Sequence, residues 1–285
     1  MRVLVATSIY EAARPYLDAW IDGVTAAVRS FASPVDILVA NDGFRNVGHI
    51  LRRLEGYAAV VVCDVESTSP AMTRQKMIEA AARSDADVVI FSDCDDIPCP
   101  GAIPAHLETL RKADFSYGAM IVLGGEADGE PYFDPELVPD RAGRGSLDRG
   151  NFTGFTNTAV SRRMLSQLTP RASVALADWD FFRQAVEQGY EGGRTREAVA
   201  LYRITEGGIA SLRPQSLDGH LNVQADLAHD FLRQQPDAAA FMPITGFIAR
   251  RGYAGLGTAA KPILMRRTPW FQFVFDLHDT CRRAS

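Results

Sequence analysis

Along the first two-thirds of the chain, apolar and polar positions form blocks whose period changes from one block to the next. Residues 3–7 form a short apolar run that reads as a buried strand. Tyr16, Leu17, Trp20, Ile21, Val24, Val28 and Phe31 then recur at helical spacing on one stripe. A second apolar run, 35–40, ends in the turn residues Asn41-Asp42-Gly43. A short helix through 50–54 leads to a third strand at 58–63, a helix over 70–83 and a fourth strand at 87–92. Repeated strand–helix units with continuously apolar strands predict an α/β fold, a mostly parallel sheet with helices on both faces.

Beyond Pro98 the pattern loosens. A helix over 102–111 and an apolar strand over 115–123 precede the stretch 124–151, rich in Gly, Pro, Asp and Arg. A loop of that length in a compact domain is typically a lid, a binding loop or disordered. Strands at 155–160 and 196–204, helices near 161–168 and 178–188, and a helix over 218–234 complete the main body, which we place at residues 1–240. Residues 241–285 form a basic, aromatic extension. Arg250, Arg251, Lys261, Arg266, Arg267, Arg282 and Arg283 are opposed there only by Asp276 and Asp279. Its Trp270, Phe271, Phe273 and Phe275 suit either peripheral docking on an anionic membrane surface or packing on the chain's own body or a second copy.

Composition narrows the classes. At 285 residues with 47% hydrophobic content the chain can bury a sizeable core. A net charge of -5 gives no general nucleic-acid footprint. The 4 cysteines are scattered without paired metal-site spacing, so reduced thiols and a cytoplasmic location are the expectation. No run reaches the roughly 18 apolar residues of a membrane span.

The chemistry concentrates where the fourth strand ends, in Ser92-Asp93-Cys94-Asp95-Asp96. Open α/β sheets bind ligands outside their carboxyl strand ends. Carboxylates crowded there repel one another unless a cation intervenes, and a hard divalent ion takes carboxylate and phosphate oxygens together. On an extended strand end Asp93 and Asp95 point the same way and can share that ion. The same acids also suit helix capping. Asp42, closing the second strand, falls on the same sheet edge, where a carboxylate can accept from a base N–H or a ribose hydroxyl; a plain turn is the alternative. Arg74 lies in the helix preceding the acidic strand. Ala177-Asp178-Trp179-Asp180 opens an amphipathic helix, offering either a general base or simple first-turn acids. Arg203, in Tyr202-Arg203-Ile204-Thr205, ends a strand where it can neutralise phosphate or remain solvated.

In order and placement these blocks resemble the family-2 inverting glycosyltransferases of GT-A fold, from the first strand to about Ser211. The matched features are Thr7-Ser8-Ile9-Tyr10-Glu11 after the first strand, Asn41-Asp42-Gly43, Arg74, the DxD-like Asp93-Cys94-Asp95 with trailing Asp96 and Pro98, and Asp178 before an amphipathic helix. The resemblance implies a nucleotide-sugar donor, usually UDP-linked, and a Mn²⁺ or Mg²⁺ ion on Asp93 and Asp95. It places Asp42, Thr7 and Tyr10 at the base, Arg74 near the base or diphosphate, Asp93 also at the ribose, and Asp178 as general base. It further implies a saccharide or lipid-linked acceptor in bacterial polysaccharide or glycoconjugate synthesis. Two positions depart from the pattern. Ala177 stands where the family has Glu, which leaves Asp178 and Asp180 competing as base, and Thr205 stands where it has His. A non-catalytic nucleotide-sugar-binding protein of the same fold is the competing reading.

Overall fold

The computed structural model describes residues 1–204 except 68, 125–127, 130, 134–137, 149–150, 169 and 172–176. The expected helix at 218–234, the extension 241–285, and Thr205, Ser211 and His220 lie outside the described residues.

Strands β1 (Val3–Tyr10), β2 (Val35–Asp42), β3 (Ala59–Asp64) and β4 (Val88–Phe91) are joined by helices α1 (Leu17–Arg29), α2 (Val47–Leu54) and α3 (Pro70–Arg83). All four strands run parallel, in the order β3-β2-β1-β4. β5 (Ile97–Pro98), α4 (Ala102–Leu110), β6 (Phe115–Leu123), β7 (Arg141–Ala142), β8 (Thr158–Ser161), α5 (Arg162–Leu165), α6 (Ala177–Glu187) and β9 (Gly192–Arg203) follow. The sheet continues β4-β8-β6-β9-β5 with antiparallel pairing at β8 and β5, so its second half is mixed. This is the α/β architecture the sequence pattern predicts.

Period-2 alternation divides the core into two layers. Leu4, Ala6, Leu38, Ala40, Val89 and Phe91 face α3 and α6, where Met77, Ile78, Trp179 and Phe182 cover them. Val3, Val5, Ile37, Val39, Val88 and Ile90 face α1, α2 and α4, packing on Trp20, Ile21, Ile50 and Ile103. β3 departs from the expectation of buried strands. It forms the sheet edge, and Val61 is exposed. A second difference falls at 155–157, expected as strand and found as a 3-10 turn. Asn157 explains it: its Oδ1 accepts from the Gly154 amide at 2.8 Å while its Nδ2 donates to the Gly118 carbonyl at 2.7 Å. Such local side-chain bonds compete with the ladder. Within 124–151, expected as open loop, β7 pairs with β9 and a 3-10 turn spans Ser146–Asp148.

His106 on α4 is buried, its Nδ1 2.8 Å from the Ser116 hydroxyl on β6. Burial pushes its imidazole down from 6.5 to about 3, so the folded state keeps the ring neutral. Below pH 6.5 the unfolded chain takes up a proton that the native state refuses, and stability from this group is lost as pH falls towards 3. Wild type should therefore lose about 2 kcal/mol between pH 7 and pH 5 relative to His106→Asn. Urea denaturation of both proteins across that range checks this, and parallel profiles would contradict it.

Candidate active site

The acidic turn follows β4, the strand between β1 and β8. Ser92, Cys94 and Asp96 are buried whereas Asp93 and Asp95 are half-buried, so the two DxD-like carboxylates share the open side. They do so on a turn, not on the extended strand end expected from sequence: the Asp96 amide bonds back to the Asp93 carbonyl at 3.2 Å. Burial, with Asp93 next in effect, raises the Asp95 carboxyl from 3.8 to about 6.

Three elements hold this turn. α1 presses on it from below, where the Trp20 indole donates to the Ser92 hydroxyl at 3.0 Å. Gly23 lets α1 approach so closely that a Cβ there would stand 2.6 Å from Ile97 Cγ2 and 3.1 Å from the Pro98 carbonyl. β9 grips the far side. The Arg203 amide donates to Asp96 Oδ1 at 2.7 Å, and its Nε donates to the Asp95 carbonyl at 2.9 Å. Asp96 is thus a buried anchor and not a helix cap. The first turn of α4 instead starts at Gly101 without any side-chain cap. Arg203 is committed to the turn and to the Tyr16 ring, 5.0 Å from its guanidinium carbon.

α3 supplies the counter-charge. Ser69 caps it by accepting from the Met72 amide, and Pro70 occupies its first turn. One turn in, Arg74 reaches across to Asp93 Oδ2 at 3.3 Å, with its guanidinium 5.5 Å from the Phe155 ring centre. Burial disfavours the Arg74 charge, but Asp93, Asp178, Asp95 and Tyr10 together hold it firmly protonated. Asp178, in the first turn of α6, is therefore among the charges that act on the same cation as the acidic turn. Its Oδ1 accepts from the Trp179 amide at 2.8 Å. Burial raises its carboxyl above the usual range, moderated by Arg74 and by bonds from Trp179 and the Asn151 side chain.

Asp180 turns the other way. It is buried, bound by two Arg171 nitrogens, Nε at 2.8 Å, and by Gln184 Nε2 at 2.9 Å. Residues two apart on a helix do not share a face. Only Asp178 of the pair looks onto Arg74.

Asp42 ends β2 directly opposite Tyr10 of β1. Its Oδ2 accepts from the Ser67 and Thr73 hydroxyls, each at 2.6 Å. Tyr10 is partly exposed, and burial together with Asp95, Cys94 and Asp93 holds its phenol protonated. Thr7 is fully buried in β1 beneath these side chains, its hydroxyl 3.5 Å from the Ser8 carbonyl. The strand ends thus bring together Tyr10, Arg74, Asp93, Asp95 and Asp178, with Asp42 alongside. Asn151, Phe155, Ser67 and Thr73 were not foreseen. Only Thr73, beside Arg74 on a helix with a Ser-Pro start, carried a signal of its place.

Asp93 and Asp95 suit a hard divalent cation. They are oxygen donors, incompletely neutralised, and Asp95 sits in an environment that penalises its lone charge. Among the described residues no group of three or more His, Cys, Asp and Glu converges on a common point. Among the same residues no helix is long and apolar enough to cross a membrane.

No family profile matches the chain, and no curated protein does. Solved structures do. S. aureus TarS 1–349 in complex with UDP-GlcNAc aligns with TM-score 0.61 at 12% identity, covering 100% of this chain and 93% of that one. The mannosyltransferase PcManGT from Pyrobaculum calidifontis, in complex with GDP-Man and Mn²⁺, gives 0.56 at 15% identity over 99% of this chain and 75% of its own. Glucosyl-3-phosphoglycerate synthase from Mycobacterium tuberculosis, with Mn²⁺, UDP and phosphoglyceric acid, gives 0.51 at 16% over 79% and 76%. The chain therefore has the GT-A fold of these glycosyltransferases. At such identities the likeness is one of fold.

The grip of α1 on the acidic turn is testable away from the acids. Gly23→Ala gains about 0.5–1 kcal/mol of helix propensity, but overpacking against Ile97 and Pro98 costs about 1–3 kcal/mol. We expect a net loss in thermal stability, read by differential scanning calorimetry. A more stable variant would show that α1 does not press on the turn.

Proposed function

We propose that the protein is a metal-dependent inverting glycosyltransferase of the family-2 type, moving a sugar from a nucleoside-diphosphate donor to an acceptor hydroxyl. The observation that carries this reading is Arg74. One guanidinium bonds Asp93 and feels Asp95 and Asp178, which ties the strand-end acids and the helix-start acid to a single cleft. The shared fold, whose relatives were solved with UDP-GlcNAc, GDP-Man or UDP, supports a nucleotide-sugar in that cleft.

Asp93 and Asp95 would hold Mn²⁺ or Mg²⁺ together with the donor phosphates. When bound, the ion would supply Lewis-acid stabilisation of the charge developing on the departing diphosphate. Arg74 stands beside the same position and offers a second, fixed positive charge. Asp42 and Tyr10, with Thr7 beneath, would bound the base and ribose side.

The acceptor oxygen attacks the anomeric carbon as the bond from that carbon to the diphosphate oxygen breaks on the opposite face. The acceptor proton passes to Asp178. Its burial-raised carboxyl makes it a stronger base than a solvated aspartate, while the Trp179 and Asn151 bonds fix its direction. The commitment of Asp180 to Arg171 and Gln184 supports Asp178 over it in that role. A saccharide or lipid-linked acceptor, as in bacterial polysaccharide or glycoconjugate synthesis, would approach past Asp178. Peripheral membrane contact through 241–285 remains part of this proposal.

Two substitutions separate binding from chemistry. Asp95→Ala should abolish Mn²⁺-dependent donor binding, read by titration calorimetry with UDP- and GDP-sugars. Asp178→Asn should leave that binding within a few-fold of wild type and lower transfer ~10²–10⁴-fold. Full transfer by the Asp178 variant would remove the general-base assignment. Donor binding by wild type without transfer or hydrolysis would favour the non-catalytic reading.

A further inference from the structure

The oxygens around Asp42 bear on which nucleobase this site accepts, an inference that rests on the donor-site reading above. A carboxylate has about four acceptor positions, two on each oxygen. Ser67 and Thr73 both donate to the same one, Oδ2, at 2.6 Å. Their own oxygens are also 2.6 Å apart. If Ser67 gives its proton to Thr73 instead, Thr73 still donates to Oδ2 and the Ser67 oxygen, 2.6 Å from Oδ2, stands in the way of a further donor. Oδ1 has no hydrogen-bond partner among the described residues, and Asp42 is half-buried at the open strand end. Gly43, with φ at 74°, then turns the chain sharply, and the Phe44 amide is satisfied by Asn41 Oδ1 at 2.9 Å. The neighbouring Asn41 is itself held, its Nδ2 donating to Asp64 Oδ1 at 2.8 Å.

We infer that Ser67 and Thr73 are specificity-determining positioning residues: they cap one Asp42 oxygen and leave a single acceptor oxygen, which selects a base recognised through one N–H. Uracil and thymine present one imide N–H between two carbonyls. Guanine presents two adjacent donors, N1–H and the 2-amino group, which match a carboxylate with both oxygens free. With Oδ2 capped, the 2-amino group finds no second acceptor on Asp42. A uridine or thymidine diphosphate donor fits this arrangement, and a guanosine diphosphate donor does not.

Inosine diphosphate supplies the control, because hypoxanthine is guanine without the 2-amino group. Binding of UDP, GDP and IDP to the full chain would be measured by calorimetry in Mn²⁺, for wild type, Ser67→Ala with Thr73→Val, and Thr73→Ser. Wild type should bind UDP at least tenfold more tightly than GDP, with GDP and IDP equal within about twofold. In the double variant UDP should weaken, and GDP should gain about tenfold over IDP as Oδ2 is freed. Thr73→Ser, which keeps the hydroxyl, should preserve the wild-type ratios. That selectivity pattern would not move if the hydroxyls served only the fold. Nucleotide binding with a GDP-to-IDP ratio identical in wild type and double variant overturns the inference while leaving the donor site intact. Binding of none of the three by folded wild type overturns the donor-site reading and the inference with it.

Discussion

Three carboxylates in four consecutive positions at the end of a buried strand form an electrostatic liability, and the surrounding structure is arranged around containing it. Two arginines from distant parts of the chain do so differently. Arg74 comes from α3 and meets the outward-facing Asp93 with its charge. Arg203 comes from β9 and works inward, its amide on the Asp96 carboxylate and its Nε on the Asp95 backbone. Burial and its acidic neighbours push the Asp96 carboxyl well above the usual range. A group in that environment is tolerable only when hydrogen-bonded. The mixed half of the sheet has a structural purpose in this light. β5 leaves the acidic turn and pairs with β9, which brings Arg203 back to it.

The same logic separates residues that sequence alone leaves equivalent. Asp178 and Asp180 both sit in the first turn of α6, where either would favour the helix dipole. Successive residues turn by about 100°, so two apart they point to nearly opposite sides. One is drawn under Arg74, and the other is closed off by Arg171 and Gln184. At Asp178 one carboxylate oxygen accepts from the Trp179 amide at the helix start, while Arg74 is among the charges acting on the same carboxyl.

Much of the first half of the fold was legible because its strands are continuous apolar runs, its helices amphipathic and its turns marked by Gly, Asn and Pro. The helix over 70–83 and the strand over 115–123 match to the residue, since Ser69-Pro70 starts one and nine unbroken strand residues define the other. Legibility ended where side chains override the backbone pattern. Asn157 turns an apolar stretch into a 3-10 turn, which places Phe155 under Arg74. The edge position of β3 depends on strand order, which no local pattern encodes. For the candidate site, Asp93, Asp95 and Asp178 stood out as acids beside apolar runs, whereas Arg74 was a weak signal by itself and gained its place from the order of the motifs. Ser67 and Thr73 did not, because a hydroxyl gains meaning only from what it faces.

Arg74 is the charge the acids share. Asp93, Asp95 and Asp178 all act on Arg74 as a shared cation, and Asp95 also feels Arg203. Asp95 registers the crowding of acids directly, its carboxyl lifted to about 6 by burial and by Asp93. On the donor-site proposal a divalent ion would offset acids that Arg74 alone does not, and Arg74 would then exchange part of its contact with Asp93 for an incoming phosphate. A guanidinium is suited to that exchange, since its planar fork matches carboxylate and phosphate oxygens alike.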